Sequence, residues 1–163
     1  MKKFYFVFAA LVLCAAVVSN IPYRTAAQAE TENTLVSPNI VISQFQVAGG
    51  TANDEFIELH NTSASSFDLN GHRLVYRSSG GVNDVAFVEW NASMVIAPGG
   101  YYLIASTAYD GAATPNLTYN PNTCTCSMSA TGGGLAIRNG ALNTGIVIDS
   151  VGYGSATNVF IET

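Results

Sequence analysis

Short runs of β-branched and aromatic residues, separated by glycine-rich turns, are the feature that most restricts how this chain can fold. The runs stand at residues 40–45, 56–60, 74–76, 85–90, 101–104, 135–137 and 146–148. Between them lie glycine pairs, or glycine beside Pro or Asn, which supply turn geometry. Beyond residue 29 the chain shows no sustained helical period of apolar residues. The pattern predicts an all-β domain, an antiparallel β-sandwich, with a small barrel as the alternative.

The first 29 residues have the composition of a secretory signal peptide. Residues 2 and 3 are lysines, residues 4–18 are all apolar, and small residues precede position 30. We expect cleavage after Ala29, a flexible lead-in over residues 30–39 and a folded domain over residues 40–163. A membrane anchor is an alternative, but the apolar run is shorter than the roughly 20 residues that span a bilayer. Lipidation at Cys14 is another, although Leu13 is bulky for that site.

Acidic residues dominate the part of the chain that remains after such cleavage. All 11 Asp and Glu residues lie beyond residue 29, against Arg73, Arg77 and Arg138 and no lysine, which gives a net charge near −8. A surface of this sign repels phosphate backbones and anionic lipids. We therefore expect neither a nucleic-acid partner nor binding to a membrane surface.

Two cysteines remain in the predicted mature chain, Cys124 and Cys126. An exported protein enters a compartment in which disulfides persist, so a local disulfide is one interpretation. Free thiols, an intermolecular bond, a redox-sensitive pair and a metal-binding pair are the others. Zinc takes four ligands, and the chain has only His60 and His72 as histidines, which weakens the metal interpretation.

No recognisable nucleophile motif occurs, and we expect no catalytic residue and no cofactor. The acidic residues in predicted loops, Asp54, Glu55, Asp84 and Asp110, offer the hard oxygen ligands that calcium prefers, although their spacing is irregular. A carbohydrate-binding alternative rests on tyrosines that offer flat rings for sugar stacking. These are Tyr101, Tyr102, Tyr109, Tyr119 and Tyr153.

Strand alternation also predicts contacts between particular side chains. Arg73, Val75 and Arg77 share one face of their strand, where an arginine can pair with Glu89 or another acid across a ladder. We expect this face to be solvated rather than to bind an anion. Asp149 is predicted to accept backbone hydrogen bonds in a turn permitted by the glycines that follow it.

Four blocks in a fixed order resemble the lamin-tail domain family, in its secreted bacterial form. They are EFIELHNTS at residues 55–63, FDLNGHRL at 67–74, IAPGGYYLI at 96–104 and DSVGYG at 149–154. The resemblance covers nearly all of residues 40–163 and implies an immunoglobulin-like β-sandwich. It also implies an interaction or tethering module, secreted or on the cell surface, with no established active site. The partner that it implies is a protein or a component of the cell envelope.

The chain departs from the family pattern at two places. His72 stands where the family favours an aromatic residue, usually Trp, and we hypothesise that Trp90 fills the space that His72 leaves. The chain also stops where relatives usually continue. If it is truncated, an exposed sheet edge predicts self-association. The alternative functions are a carbohydrate- or calcium-binding module and an accessory remnant of a larger extracellular hydrolase.

Overall fold

A computed structural model describes residues 37, 39–124, 126–157 and 160. All of them belong to one compact unit. The predicted signal peptide, its cleavage point after Ala29 and nearly all of the lead-in lie outside the described residues. Within the described part of the chain, no helix has the length and apolar character needed to cross a membrane.

The described residues form ten strands and one short helix. In chain order these are β1 (Ile40–Gln46), β2 (Phe56–Asn61), β3 (Phe67–Asp68), β4 (His72–Ser78), β5 (Val85–Glu89), β6 (Val95–Ile96), β7 (Tyr101–Ser106), β8 (Leu117–Tyr119), α1 (Pro121–Cys124), β9 (Gly132–Asn139) and β10 (Ile146–Gly154). The seven runs singled out in the sequence all lie wholly or largely within these strands.

Two four-stranded sheets enclose the main core. The first has the order β1-β2-β7-β8 and the second the order β10-β9-β4-β5, while β3 and β6 pair as a small separate ribbon. Alternate residues of each sheet point inward, so Ile57 and Leu59 of the first sheet meet Leu74 and Ile137 of the second in one buried cluster. The predicted β-sandwich is confirmed.

One strand pairing differs from the fully antiparallel sheet that the sequence predicted. β8 runs parallel to β7, whereas every other strand pair between described residues is antiparallel. The side chain of Asn116 accepts a hydrogen bond from the Leu103 N–H (2.8 Å), and the Asn116 N–H donates to the Leu103 carbonyl (2.8 Å). These two hydrogen bonds hold the start of β8 beside β7, and the two strands run in the same direction. Residues 107–127, predicted to be irregular, therefore include a strand and a helical turn.

Asp149 accepts a backbone hydrogen bond, as predicted, but its donor lies in another sheet and not in a turn. It lies inside β10 and not in a turn, and its carboxylate accepts a hydrogen bond from the Ile42 N–H of β1 at 2.7 Å. Both strands are edge strands of their sheets, and each has an irregular register at this place. The carboxylate therefore joins the two sheets at one side of the sandwich and satisfies a donor of an edge strand. Self-association through an edge stays a prediction.

His72 and Trp90 lie side by side in the backbone but pack against different rings. The Trp90 N–H donates to the His72 carbonyl at 3.0 Å. The Trp90 ring is buried and meets Tyr102 edge-on, with centroids 6.1 Å apart, while the half-buried His72 ring lies 5.1 Å from Phe67. Trp90 thus lies in the main core, and the ring that packs against His72 is that of Phe67. That Trp90 fills the space left by His72 stays a hypothesis.

Candidate functional site

The carboxylates considered for calcium fall into three separate environments. Asp54 and Asp110 lie together between two loops, Glu55 is inside the core, and Asp84 lies on the outer face of the second sheet. Among the described residues, no group of three or more His, Cys, Asp or Glu side chains is placed to hold a metal ion. The structure therefore does not bring the four candidates together.

Asp54 fastens the loop that precedes β2 to the loop that follows β7. Its carboxylate accepts hydrogen bonds from the Gly50 N–H at 2.9 Å and from the Asp110 N–H at 3.3 Å. Gly49 is required beside it, because a Cβ there would overlap the Asp54 carboxylate. A hydrogen bond with Asp54, the negative charge of Asp54 and a small degree of burial raise the pKa of Asp110.

Glu55 is a fully buried carboxylate with a donor for each oxygen. The Tyr119 hydroxyl donates to Oε2 at 2.7 Å, while the Ser127 hydroxyl (2.9 Å) and the Met128 N–H (2.8 Å) donate to Oε1. Burial and the bond to Glu55 raise the pKa of Tyr119 well above its usual range, so this hydroxyl remains a donor at neutral pH. Glu55 therefore ties β8 and the segment before β9 to the start of β2.

The cysteine pair lies next to this anchor. Cys124 and Cys126 form a disulfide, with Cα atoms 5.1 Å apart. Cys126 is fully buried in the main core, and Cys124 packs partly against it. Ser127 and Met128, which follow Cys126, are two of the three residues that donate to Glu55. The disulfide and the buried carboxylate thus hold the same short segment.

Asp84 is enclosed by two arginines on the outer face of the second sheet. Nε of Arg77 lies 2.6 Å from Oδ1, and Nε of Arg138 lies 2.6 Å from Oδ2. The Asn143 N–H also donates to Oδ2 at 2.8 Å, and the Asp84 side chain is 0% exposed. With two cations and a backbone donor around it, Asp84 has the surroundings of a structural anion.

Phe160 covers this charged group. Its ring centroid lies 4.8 Å from the Arg77 guanidinium carbon and 5.3 Å from that of Arg138, within the range of cation–π attraction. Phe160 is fully buried with Val75 and Ala136 in a second apolar cluster. We name the set Arg77, Asp84, Arg138, Val75 and Ala136 the arginine platform. Strand alternation predicted the arginine face, whereas nothing local in the sequence indicated its cover.

The predicted cross-strand ion pair is present beside the arginine platform. Nη1 of Arg73 lies 3.0 Å from Oε1 of Glu89, and the two residues are directly opposite in the β4–β5 register. The Glu89 side chain is 41% exposed, unlike that of Asp84. The same sheet face thus carries one exposed ion pair and one buried network.

The five tyrosines do not form one platform for sugars. Tyr102 and Tyr119 are buried, and Tyr153 donates to the Ser129 carbonyl at 2.8 Å. Tyr101 is 57% exposed and stacks flat on His60, with centroids 4.2 Å apart and an interplanar angle of 7°. Tyr109 lines a pocket of about 440 Å³ in the β7–β8 connection, together with serine and threonine hydroxyls.

The buried and exposed carboxylates of the second sheet give a direct test of the Asp84 network. We predict that Asp84→Ala lowers the free energy of unfolding by about 3–5 kcal/mol, because it leaves two buried guanidinium groups without their anion. Glu89→Ala is the matched control and should cost no more than about 1 kcal/mol, since its pair is exposed to solvent. Urea unfolding measures both values, and equal losses would contradict this assignment.

The acidic pair at Asp54 and Asp110 predicts a dependence of stability on pH. The folded state raises the pKa of Asp110, so protonation of Asp110 stabilises the folded protein. This stabilisation is complete below the unfolded pKa of about 3.9 and is lost as the pH rises through the folded pKa. Asp110→Asn should therefore raise the unfolding temperature at pH 7 and have less effect near pH 3. Thermal unfolding across this range at low salt is the measurement.

Asp68→Asn is the control, and its effect on the unfolding temperature at pH 7 should have the opposite sign to that of Asp110→Asn. The N–H groups of Asn70 and Met94 and the Ser93 hydroxyl lower the pKa of Asp68, so its contribution is present above about pH 3.9 and is lost as pH falls through the folded pKa. A loss of stability in Asp110→Asn at pH 7 would contradict the account of the pair.

Calcium takes 6–8 oxygen ligands, and we expect it to leave the unfolding temperature unchanged.

Comparison with known proteins assigns the chain to a family. The Lamin Tail Domain family model matches residues 33–155, which is most of the chain. A search of the curated proteins finds no match. The family consists of immunoglobulin-like, non-catalytic domains, and the fold described above is that of an immunoglobulin-like β-sandwich. The family recognised in the four sequence blocks is confirmed, while its secreted bacterial form stays a prediction, and the chain belongs to the lamin tail domain family.

Proposed function

We propose that this protein is a non-catalytic interaction module that is secreted or held at the cell surface and binds another protein. The observation that carries the proposal is that the domain buries several of its carboxylates but exposes an aromatic pair. Glu55, Asp84 and Asp149 are buried and bind the domain's own donors, whereas an aromatic pair is presented to solvent. Membership of a non-catalytic domain family supports the same conclusion.

The binding surface that we propose is the outer face of the first sheet. Val41, His60 and Tyr101 lie directly opposite one another on β1, β2 and β7, so their side chains form one row across three strands. The stacked His60 ring limits the conformations of Tyr101, so binding through Tyr101 costs little side-chain entropy. Tyrosines are enriched among the residues that dominate binding energy in protein interfaces.

Export is the second part of the proposal. It rests on the cationic start, the apolar run of residues 4–18 and the small residues before position 30. The disulfide between Cys124 and Cys126 is of a kind that persists outside the reducing cytosol. The mature protein is then expected to begin at Glu30.

Site-specific crosslinking in the producing cells tests the binding face. We predict that a photo-crosslinking amino acid at position 101 captures one defined protein partner, while the same group at position 82 does not. Val82 is a suitable control because it is 76% exposed and lies in the β4–β5 connection of the other sheet. Tyr101→Ala should then weaken binding of the purified partner by about 30-fold, as expected of an interface residue worth about 2 kcal/mol.

Two results would contradict the proposal. Equal capture at positions 101 and 82 would show that the first sheet's outer face is not selective. A glycan ligand whose binding requires Tyr109 but not Tyr101 would instead favour the carbohydrate-binding alternative, with its site at the pocket in the β7–β8 connection.

A further inference from the structure

A carboxylate lies next to the row of Val41, His60 and Tyr101. Glu58 and His60 are two residues apart on β2, so both side chains lie on the outer face of the first sheet. Glu58 stands opposite Leu103 of β7, two residues beyond Tyr101. Glu58 and Tyr101 are therefore diagonal neighbours, which lie about 7–8 Å apart, and one long side chain can contact both.

Along β7, the outer face of the first sheet is accessible at the Tyr101 end. The side chains of Tyr101, Leu103 and Ala105 alternate onto this face. Tyr101 is 57% exposed, whereas Leu103 is 9% exposed and Ala105 is fully buried. A partner that contacts Tyr101 therefore meets the half-buried His60 and Glu58 rather than the middle of β7. The accessible site consists of a stacked pair of rings beside one carboxylate.

The Glu58 carboxylate is held in place at the surface. The Ser43 hydroxyl of β1 donates to Oε1 of Glu58 at 2.7 Å, and this hydrogen bond is exposed to solvent. In the described part of the chain, the ion pairs use the carboxylates of Asp84 and Glu89, and Glu58 has no cation beside it. A fixed carboxylate of this kind can pair with a cation that a partner supplies.

The two sheets differ in the charges of their strands. Glu58 is the one charged residue in β1, β2, β7 and β8. The arginines beyond residue 29 are Arg73, Arg77 and Arg138, and all three belong to β4 and β9 of the second sheet. The whole chain has a net charge of −5. Charge complementarity at the first sheet therefore favours a basic side chain of the partner.

Arginine suits this arrangement better than lysine. A guanidinium group is planar and can stack on an aromatic ring while it donates hydrogen bonds to a carboxylate. We propose that the outer face of the first sheet binds an exposed arginine of the partner protein, which lies over the exposed part of the Tyr101 ring and pairs with Glu58. This inference rests on the proposed function, because it names the chemistry that the partner presents to the same face.

Peptide selection tests the proposal. The probe is a phage library of random heptapeptides, selected on the purified protein. We expect arginine to be at least about threefold more frequent in the selected peptides than in the starting library, and lysine to increase less. Glu58→Gln should lose this preference, although its amide oxygen can still accept from Ser43. Glu89→Gln is the matched control and should keep the preference, because it removes a carboxylate from the other sheet.

Titration of one selected peptide measures the contact itself. Replacement of its arginine by citrulline, which keeps the shape but not the charge, should weaken binding to the wild-type protein about tenfold. Glu58→Gln should weaken binding of the arginine peptide about fivefold and reduce the difference between the two peptides. Tyr101→Leu should also reduce it. Chemical shifts of the Glu58, His60 and Tyr101 amides show whether the peptide binds at this face.

Two results would overturn the proposal: selected peptides without an arginine preference, or a preference that persists in Glu58→Gln. If the group at position 101 still captures one protein partner, either result removes the arginine contact and leaves the interaction module intact. Capture of no partner at position 101 would instead contradict the interaction module itself.

Discussion

A buried carboxylate, Glu55, is the constraint on which much of this sandwich depends. An ionised group inside a protein costs several kcal/mol unless donors surround it, and Glu55 receives three hydrogen bonds from β8 and the segment after the disulfide. These bonds fix the position of β8, the parallel strand at one edge of the first sheet. They also fix the chain where it leaves that sheet for β9 of the second.

The same use of carboxylates recurs at two other places. Asp149 joins β10 to β1 at the opposite side of the sandwich, and Asp84 holds two arginines on the outer face of the second sheet. Acidic residues are in strong excess in this chain, and several of them stabilise its fold. Charge alone is therefore a poor guide to its function, and the surface proposed for binding is instead the row of Val41, His60 and Tyr101, which contains a stacked pair of rings.

The sequence predicted those features whose causes are local. Alternation of residue types placed the strands, the arginine face and the Arg73–Glu89 pair, because neighbours on a strand decide which face is buried. The partners of Asp149 and Phe160 depend on residues far along the chain; Ile42 and Asp149 are 107 residues apart. Asn61 was missed for the same reason. Its buried amide donates to the Ile96 carbonyl, 35 residues away, and so fastens β2 to β6.

Hydrogen exchange of single backbone amides tests the central claim that buried carboxylates hold the framework together. The informative amides are those of Met128 and Ile42, which donate to the carboxylates of Glu55 and Asp149. If the claim is right, both exchange only through global unfolding, as slowly as amides in the middle of β9. Exchange at the rate of an exposed loop, in a protein whose β9 amides stay protected, would contradict it.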